Sequence, residues 1–285
     1  MSTLSAAVPR RIFKRHIALP AEHGAWVFLL SPLLIGLFAG RAAGGAWTAA
    51  AGWLCLGALA AFLLRQPVSM AVKAHAGRRS RDDLPAAAFW TAVYGLATLA
   101  AVAALAALGH ARVLLLALPA APVFAWHLAL IRRRAERRQM GVEIVGSGVL
   151  ALAAPAAYWV VLGQMDAAGL WLWLLAWLQS AASIVYAYLR LEQRVLKLAP
   201  PLARRLRQGQ RALLYAGFNL LLAVALSVAR AAPSALFVPF ALQLAETVWG
   251  VLRPAVGVPP VRIGLRQLLV SSLFTLLFVL VWRQP

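Results

Sequence analysis

Apolar residues along this chain come in long blocks, broken by short polar or basic stretches, and do not alternate with polar ones. The blocks lie at about 24–40, 46–64, 86–108, 112–131, 141–163, 169–189, 211–229, 233–252 and 264–282. Most reach the roughly 20 residues that an α-helix needs to cross the hydrocarbon core of a bilayer. A transmembrane barrel would instead show segments of about ten alternating residues. Within lipid a spanning segment must satisfy its own backbone groups, which a helix does. The pattern therefore predicts an all-α, polytopic transmembrane helical bundle of about nine spans. Proline residues (Pro67, Pro85, Pro200, Pro201, Pro233, Pro259, Pro260), basic clusters and the Gly44-Gly45 turn mark the boundaries. Pro32 and Pro122 fall inside the first and fourth spans.

Composition removes the main alternative. Residues of the apolar set make up 63% of the 285, and charged residues only 13%. A soluble globule of this size needs a more polar exterior. No low-complexity stretch, repeat or long polar linker is visible, so one transmembrane domain over 1–285 is expected, with a short basic cytoplasmic segment at 1–20. Glu22 and His23 open the first apolar run and no small-residue cleavage site closes it, which predicts no cleaved leader. The single Cys55 offers neither an intrachain disulfide nor a metal set.

Charge orients the spans. With the N-terminus inside, the inner segments carry four Lys or Arg before the first span, five in 65–85, five in 132–138, seven in 190–211 and three in 253–266. The outer segments carry Arg41, Arg112, Arg230 and Arg283, so 24 of the 28 basic residues lie inside. This bias predicts an N-in, C-out topology with an odd number of spans. It also accounts for the net charge of +20 without nucleic acid, because the cations sit where topology and anionic headgroups place them. Several of the eleven Trp, including Trp26, Trp90, Trp159 and Trp249, fall near span ends, where indole rings favour the interface.

Carboxylates are scarce and so informative. A charged group at membrane depth is costly unless paired or hydrated. Glu246 lies six residues from the inner end of its span, with Gln243 on the same face. It either lines a polar cavity or pairs with an Arg from another helix. Glu143 opens the fifth span, where it is a candidate ligand-binding group or a helix-terminal ion pair. Asp82 and Asp83 read as solvated loop charges among Arg78, Arg79 and Arg81, and Asp166 as an inert outer-loop residue. Glu22 and His23, beside Gly24 and Trp26, read either as a headgroup or proton site or as an interfacial anchor.

The stretch Leu19-Pro20-Ala21-Glu22-His23-Gly24-Ala25-Trp26, followed by Leu29-Leu30-Ser31-Pro32-Leu33-Leu34-Ile35-Gly36, resembles the opening signature of the YwiC-like family of bacterial membrane proteins. Leu64-Arg65-Gln66-Pro67 is similar to that family too. The resemblance implies a bacterial cytoplasmic membrane location and assigns no activity. The layout also resembles the UbiA-type prenyltransferases, which have nine helices and two Asp-rich motifs that bind Mg²⁺ and a prenyl diphosphate. At the first motif's register this chain has Arg65, Ser69 and Lys73. At the second it has Tyr186, Arg190 and Arg194, with no Asp at either. Cationic side chains cannot ligate Mg²⁺. Two cations on one helix face can hold an anion directly, and they are also ordinary positive-inside residues.

These readings predict a multi-pass protein that binds an anionic amphipathic, lipid-like or isoprenoid ligand in a cytoplasm-facing cavity. No metal or cofactor is expected. The candidate ligand-binding residues are Glu22, His23, Arg65, Ser69, Lys73, Glu143, Arg190, Arg194 and Glu246. Glu22, His23, Arg65 and Lys73 are expected to share one cavity, because a short outer turn joins the first two spans. A UbiA-like transferase acting on a membrane-embedded substrate through Glu22, His23, Glu143 or Glu246 is the alternative, and a secondary transporter is a third.

Overall fold

A computed structural model describes residues 12–20, 23–135 and 139–282, with the backbone alone for His23. The described residues contain α-helices and short 3-10 turns and no strand. The helices are α1 (Arg15–Ala18), α2 (His23–Ala42), α3 (Ala49–His75), α4 (Leu84–Ala107), α5 (Ala120–Arg132), α6 (Met140–Ala151), α7 (Ala153–Leu162), α8 (Ala167–Gln193), α9 (Leu202–Val228), α10 (Phe237–Leu252) and α11 (Pro260–Trp282). Among the described residues, eight helical segments are long and apolar enough to cross a membrane, and α10 is a shorter apolar helix of 16 residues. Together they match the nine apolar blocks. This is the architecture of a multi-pass membrane protein.

Proline explains where the helices differ from the blocks. Pro67 does not end α3, which continues to His75, so Arg65 and Lys73 are helical rather than in a loop. Pro32 likewise lies within an unbroken α2. Such prolines are tolerated in spanning helices because neighbouring groups absorb the freed carbonyl. The fifth block is different. Pro155 has no N–H to give Ala151, its ring crowds that carbonyl, and the helix breaks between α6 and α7 at Leu152. Leu152 N–H turns back to Val149. That frees Gly148 O, which accepts the Trp173 indole N–H at 2.9 Å. The fourth block begins as a 3-10 turn, Ala111–Ala117, and becomes α-helical only after Pro119.

The chain divides into two compact units. Unit one holds the residues up to 23 and 48–139, and so α1, α3, α4 and α5. Its α3 and α4 pack side by side, with Gly57 facing Ala101. The α1 segment lies against both, with Ile17 buried among Ala86, Ala87, Ala71 and Trp90. The Trp90 indole donates to Ile12 O and the Tyr94 hydroxyl to Ala18 O, at 3.2 and 3.0 Å.

Asp83, expected to be solvated, is buried. It pairs with Lys14 at 2.7 Å, and His16 and Arg79 stand at 3.9 and 4.0 Å. The pair ties the N-terminal segment to the start of α4, because a carboxylate this enclosed needs its counter-charge.

Unit two holds residues 24–47 and 140–285. Here α2 packs on α7 through small residues. A Cβ on Gly36 or Gly40 would run into the backbone of Ala154 or Tyr158. Gly36 and Gly40 are four apart, the spacing that lets two spanning helices approach closely. Beyond α2, Ala46 N–H donates to Val161 O at 2.9 Å. Phe240, Phe274 and Phe278 form the buried ring cluster between α10 and α11, with centroids 5.0 to 6.4 Å apart. Asp166, far from inert, caps α8 by accepting from Gly169 N–H. It also takes bonds from the Tyr158 hydroxyl and the Trp159 indole. Trp159 is thereby buried rather than at an open interface. The faces left outward are apolar, as on α9, where Leu214, Phe218 and Leu221 are 66%, 56% and 70% exposed. Apolar faces of this size on a polytopic chain are covered by acyl chains.

Candidate functional site

Two features stand out, one in each unit. In unit two the chemistry gathers around Glu246 on α10. Its carboxylate receives both Nε and Nη2 of Arg266 on α11, at 2.6 and 2.7 Å. The Tyr186 hydroxyl on α8 donates to Oε1 at 2.9 Å. This is a bidentate guanidinium–carboxylate pair with a third, neutral donor. Trp249, nearly one turn further along α10, lies under the Arg266 guanidinium, 3.5 Å from ring centroid to Cζ. Both readings of Glu246 therefore hold: it pairs with an Arg of another helix, and it also lines a small cavity.

That cavity has a volume of about 20 Å³. Its polar lining comes from Ser183 and Tyr186 of α8, Gln243, Glu246 and Thr247 of α10, and Gln267 and Ser271 of α11. Gln243 donates to Gln179 O at 2.9 Å, and Gln267 to Ser183 O at 3.2 Å. Asn219 of α9 donates to Leu178 O at 2.9 Å and leans on Gln243 Oε1 at 3.4 Å. The result is a polar seam where α8, α9, α10 and α11 meet.

Arg190 of α8 adjoins this seam and is buried. Its Nη1 donates to Gly250 O and Arg253 O, at 2.7 and 2.6 Å, and to Gln193 Oε1 at 2.9 Å. It thus satisfies carbonyls at the C-terminal end of α10, where the helix dipole also favours a cation. Gly250 is needed beside it, since a Cβ there would meet the Tyr186 ring. Arg194, one turn on, is half-buried, and its carbonyl accepts from Gly257 N–H at 3.1 Å. Glu143 at the start of α6 is exposed and receives the Tyr188 hydroxyl at 2.7 Å.

In unit one, α3, α4 and α5 leave a groove of about 1010 Å³. Val68, Ala71 and Val72 of α3 face Ala88, Thr91 and Ala92 of α4 across it, and His75 and Arg132 lie at one end. The hollow exists because alanines occupy positions where larger side chains would fill it. At that end His75 Nδ1 lies 2.8 Å from Ala71 O. A carbonyl only accepts, so Nδ1 carries the proton and Nε2 is left for another partner. Arg78 donates to Ile131 O nearby.

The expected candidates divide between these places. Arg190 and Glu246 come to one cluster, joined by Tyr186, Trp249 and Gly250. Arg65, Ser69 and Lys73 share a face of α3, with Arg65 Cζ 5.2 Å from the Phe62 ring centroid and Ser69 buried. They are not among the residues lining the groove. Ser69 and Lys73 each stand one residue, or about 100° of helix, from Val68 and Val72. Glu22 lies outside the described residues, as does the side chain of His23, so the grouping of these two with Arg65 and Lys73 falls there as well. The sequence reading missed Arg266, Trp249 and Tyr186, and the groove itself. Among the described residues no three His, Cys, Asp or Glu side chains gather in a way that holds a metal ion.

The family model of the YwiC-like proteins matches residues 19–158. Over that stretch, a little under half of the chain, the protein is similar to the YwiC-like family. The match contains the opening signature and runs through α2 to α6 and into α7, so it covers every residue that lines the groove. The polar seam around Glu246 lies beyond it. No curated protein and no solved structure matches the chain, so the UbiA-type layout finds no support from either comparison.

Proposed function

We propose that this protein is a bacterial cytoplasmic-membrane protein that holds an anionic amphiphile in the groove between α3, α4 and α5, without a metal and without diphosphate chemistry. The observation that carries this reading is the groove's own polarity. Its walls are apolar and its one charged end bears Arg132 and His75. From Ala76 back to Val68 is eight residues, or about 12 Å of helix. That is close to half of a hydrocarbon core of about 30 Å, the depth of one leaflet. The charge bias puts the Arg132 end at the cytoplasmic face. An acyl or isoprenoid chain lies along the alanines, and its anionic headgroup meets Arg132, while Nε2 of His75 is an acceptor for a headgroup hydroxyl. A cation can take a phosphate or carboxylate directly. The same account covers the absence of an Asp-rich motif at Arg65, Ser69 and Lys73. Glu246, already engaged by Arg266 and Tyr186, is a poor candidate for the base of a transferase.

Mass spectrometry of an organic extract tests this. Protein purified in mild detergent should carry one acidic lipid class well above its share of the membrane, with or without a chelator during purification. Ala88→Leu, which fills the groove, and Arg132→Ala, which removes its cation, should each bring that class back to its membrane share. An extract that mirrors the bulk lipids in the unsubstituted protein overturns the reading, and so does retention that a chelator abolishes.

A further inference from the structure

We propose that the cavity beside Glu246 is a water site, in which one ordered water molecule bridges α8, α10 and α11 within the membrane-spanning part of unit two. Size is the starting point. A cavity needs roughly 10–15 Å³ to accept a water, and the water needs two to four polar partners. This one has about 20 Å³ and is bordered by Ser183, Gln243, Glu246, Gln267 and Ser271. A volume of about 20 Å³ is close to that of a single water site.

Charge then selects among the small occupants. The Glu246 carboxylate is already matched by the two-point bond from Arg266. Arg190 stands close by, its Cζ 5.2 Å from the Trp249 ring centroid and 5.9 Å from that of Tyr186. A metal cation would enter a site with no negative charge left to hold it. An anion would meet the Glu246 oxygens. A neutral molecule that both donates and accepts suits the hydroxyls, amides and carboxylate, and water is the one always present.

The seam also lacks a donor. Asn219, 1% exposed, spends its Nδ2 on Leu178 O and Gln243, and its Oδ1 is the one buried side-chain polar atom without a partner among the described residues. Turning the amide round would set Oδ1 against the Leu178 carbonyl, so the side chain cannot resolve this by itself. An unpartnered buried carbonyl commonly points to an unplaced water. Its neighbour Gln243 lines the cavity, so Asn219 and the cavity belong to one incompletely bonded seam. Water in that seam hydrates Glu246 from inside the bundle and offsets part of the cost of keeping an ion pair among spanning helices.

Hydroxyl-radical labelling of the full chain in lipid nanodiscs, with the bulk water enriched in oxygen-18, provides the test. Radicals form where water sits, so Tyr186 should take up label severalfold faster than Phe240 and Phe274, which are buried but do not line the cavity. Ser271→Val removes one partner and narrows the space, and it should slow labelling of Tyr186 to the rate of those rings. Equal rates for Tyr186 and the two Phe in the unsubstituted protein overturn the proposal. So does an unaltered Tyr186 rate in a folded Ser271→Val protein. If that variant does not fold, the comparison of rings in the unsubstituted protein decides alone.

Discussion

Arg190 shows how far a residue's type falls short of its role. By type and register it is a cation on the inner surface, available to an anion. By position it is buried and spends Nη1 on Gly250 O, Arg253 O and Gln193. Removing a charged donor that satisfies buried carbonyls costs roughly 1.5–3 kcal/mol per bond lost, less what water recovers. Arg190→Ala should therefore lower the thermal midpoint in detergent clearly. Arg190→Lys should recover only part of it, since an ammonium lacks the planar fork. A midpoint unchanged in Arg190→Ala would mean that the end of α10 does not need this guanidinium.

Glu246 illustrates what could have been read at this scale. It lies six residues before the end of α10, and Arg266 lies six residues after the start of α11. In an antiparallel pair joined by a short loop, such positions stand level, so the partner was available from counting alone. Asp83 carried no such signal. Arginines lie two, four and five positions before it, and its main partner, Lys14, is 69 positions away.

At the scale of elements, glycine spacing separates contact from open surface. Gly36 and Gly40 face the backbone of α7, whereas Gly52 and Gly95 have nothing close to where a Cβ would stand. Gly36→Ala should destabilise by about 1–3 kcal/mol, the usual cost of overpacking. Gly52→Ala and Gly95→Ala should be neutral or stabilising by up to about 1 kcal/mol, because alanine is the better helix former. Melting curves of the three variants in one detergent check this. Similar midpoints for all three would remove the close approach of α2 and α7. The motif Gly36-Leu-Phe-Ala-Gly40 is plain in the sequence, but nothing in it names α7 as the partner. The break between α6 and α7 was legible too, since Pro155 sits in mid-block, although the indole of Trp173 that completes it was not.

For the molecule as a whole, the apolar blocks and the cation bias lead to the strongest expectation. Nine crossings with the N-terminus inside put the C-terminus outside. A phosphatase–fluorescent protein reporter pair fused at the C-terminus should read as extracytoplasmic, and one fused after Arg134 as cytoplasmic. A cytoplasmic C-terminal reading would mean that one crossing was miscounted, with the short α10 the first to suspect.

The number of apolar spans, their lipid-facing character and the alternation of cation-rich with cation-poor connections follow from the sequence by itself. The bilayer imposes them one segment at a time: each run must be long, apolar and self-bonded whatever surrounds it. The groove and the polar seam were decided by tertiary structure alone. The groove is a space where alanines of α3 and α4 fail to meet, and the seam is a meeting of residues drawn from four helices. Neither has a periodicity of its own, because each depends on which helix faces follow one another in space. Packing between helices sets that order, and the hydrophobic pattern does not encode it, since lipid and a neighbouring helix look equally apolar to a leucine.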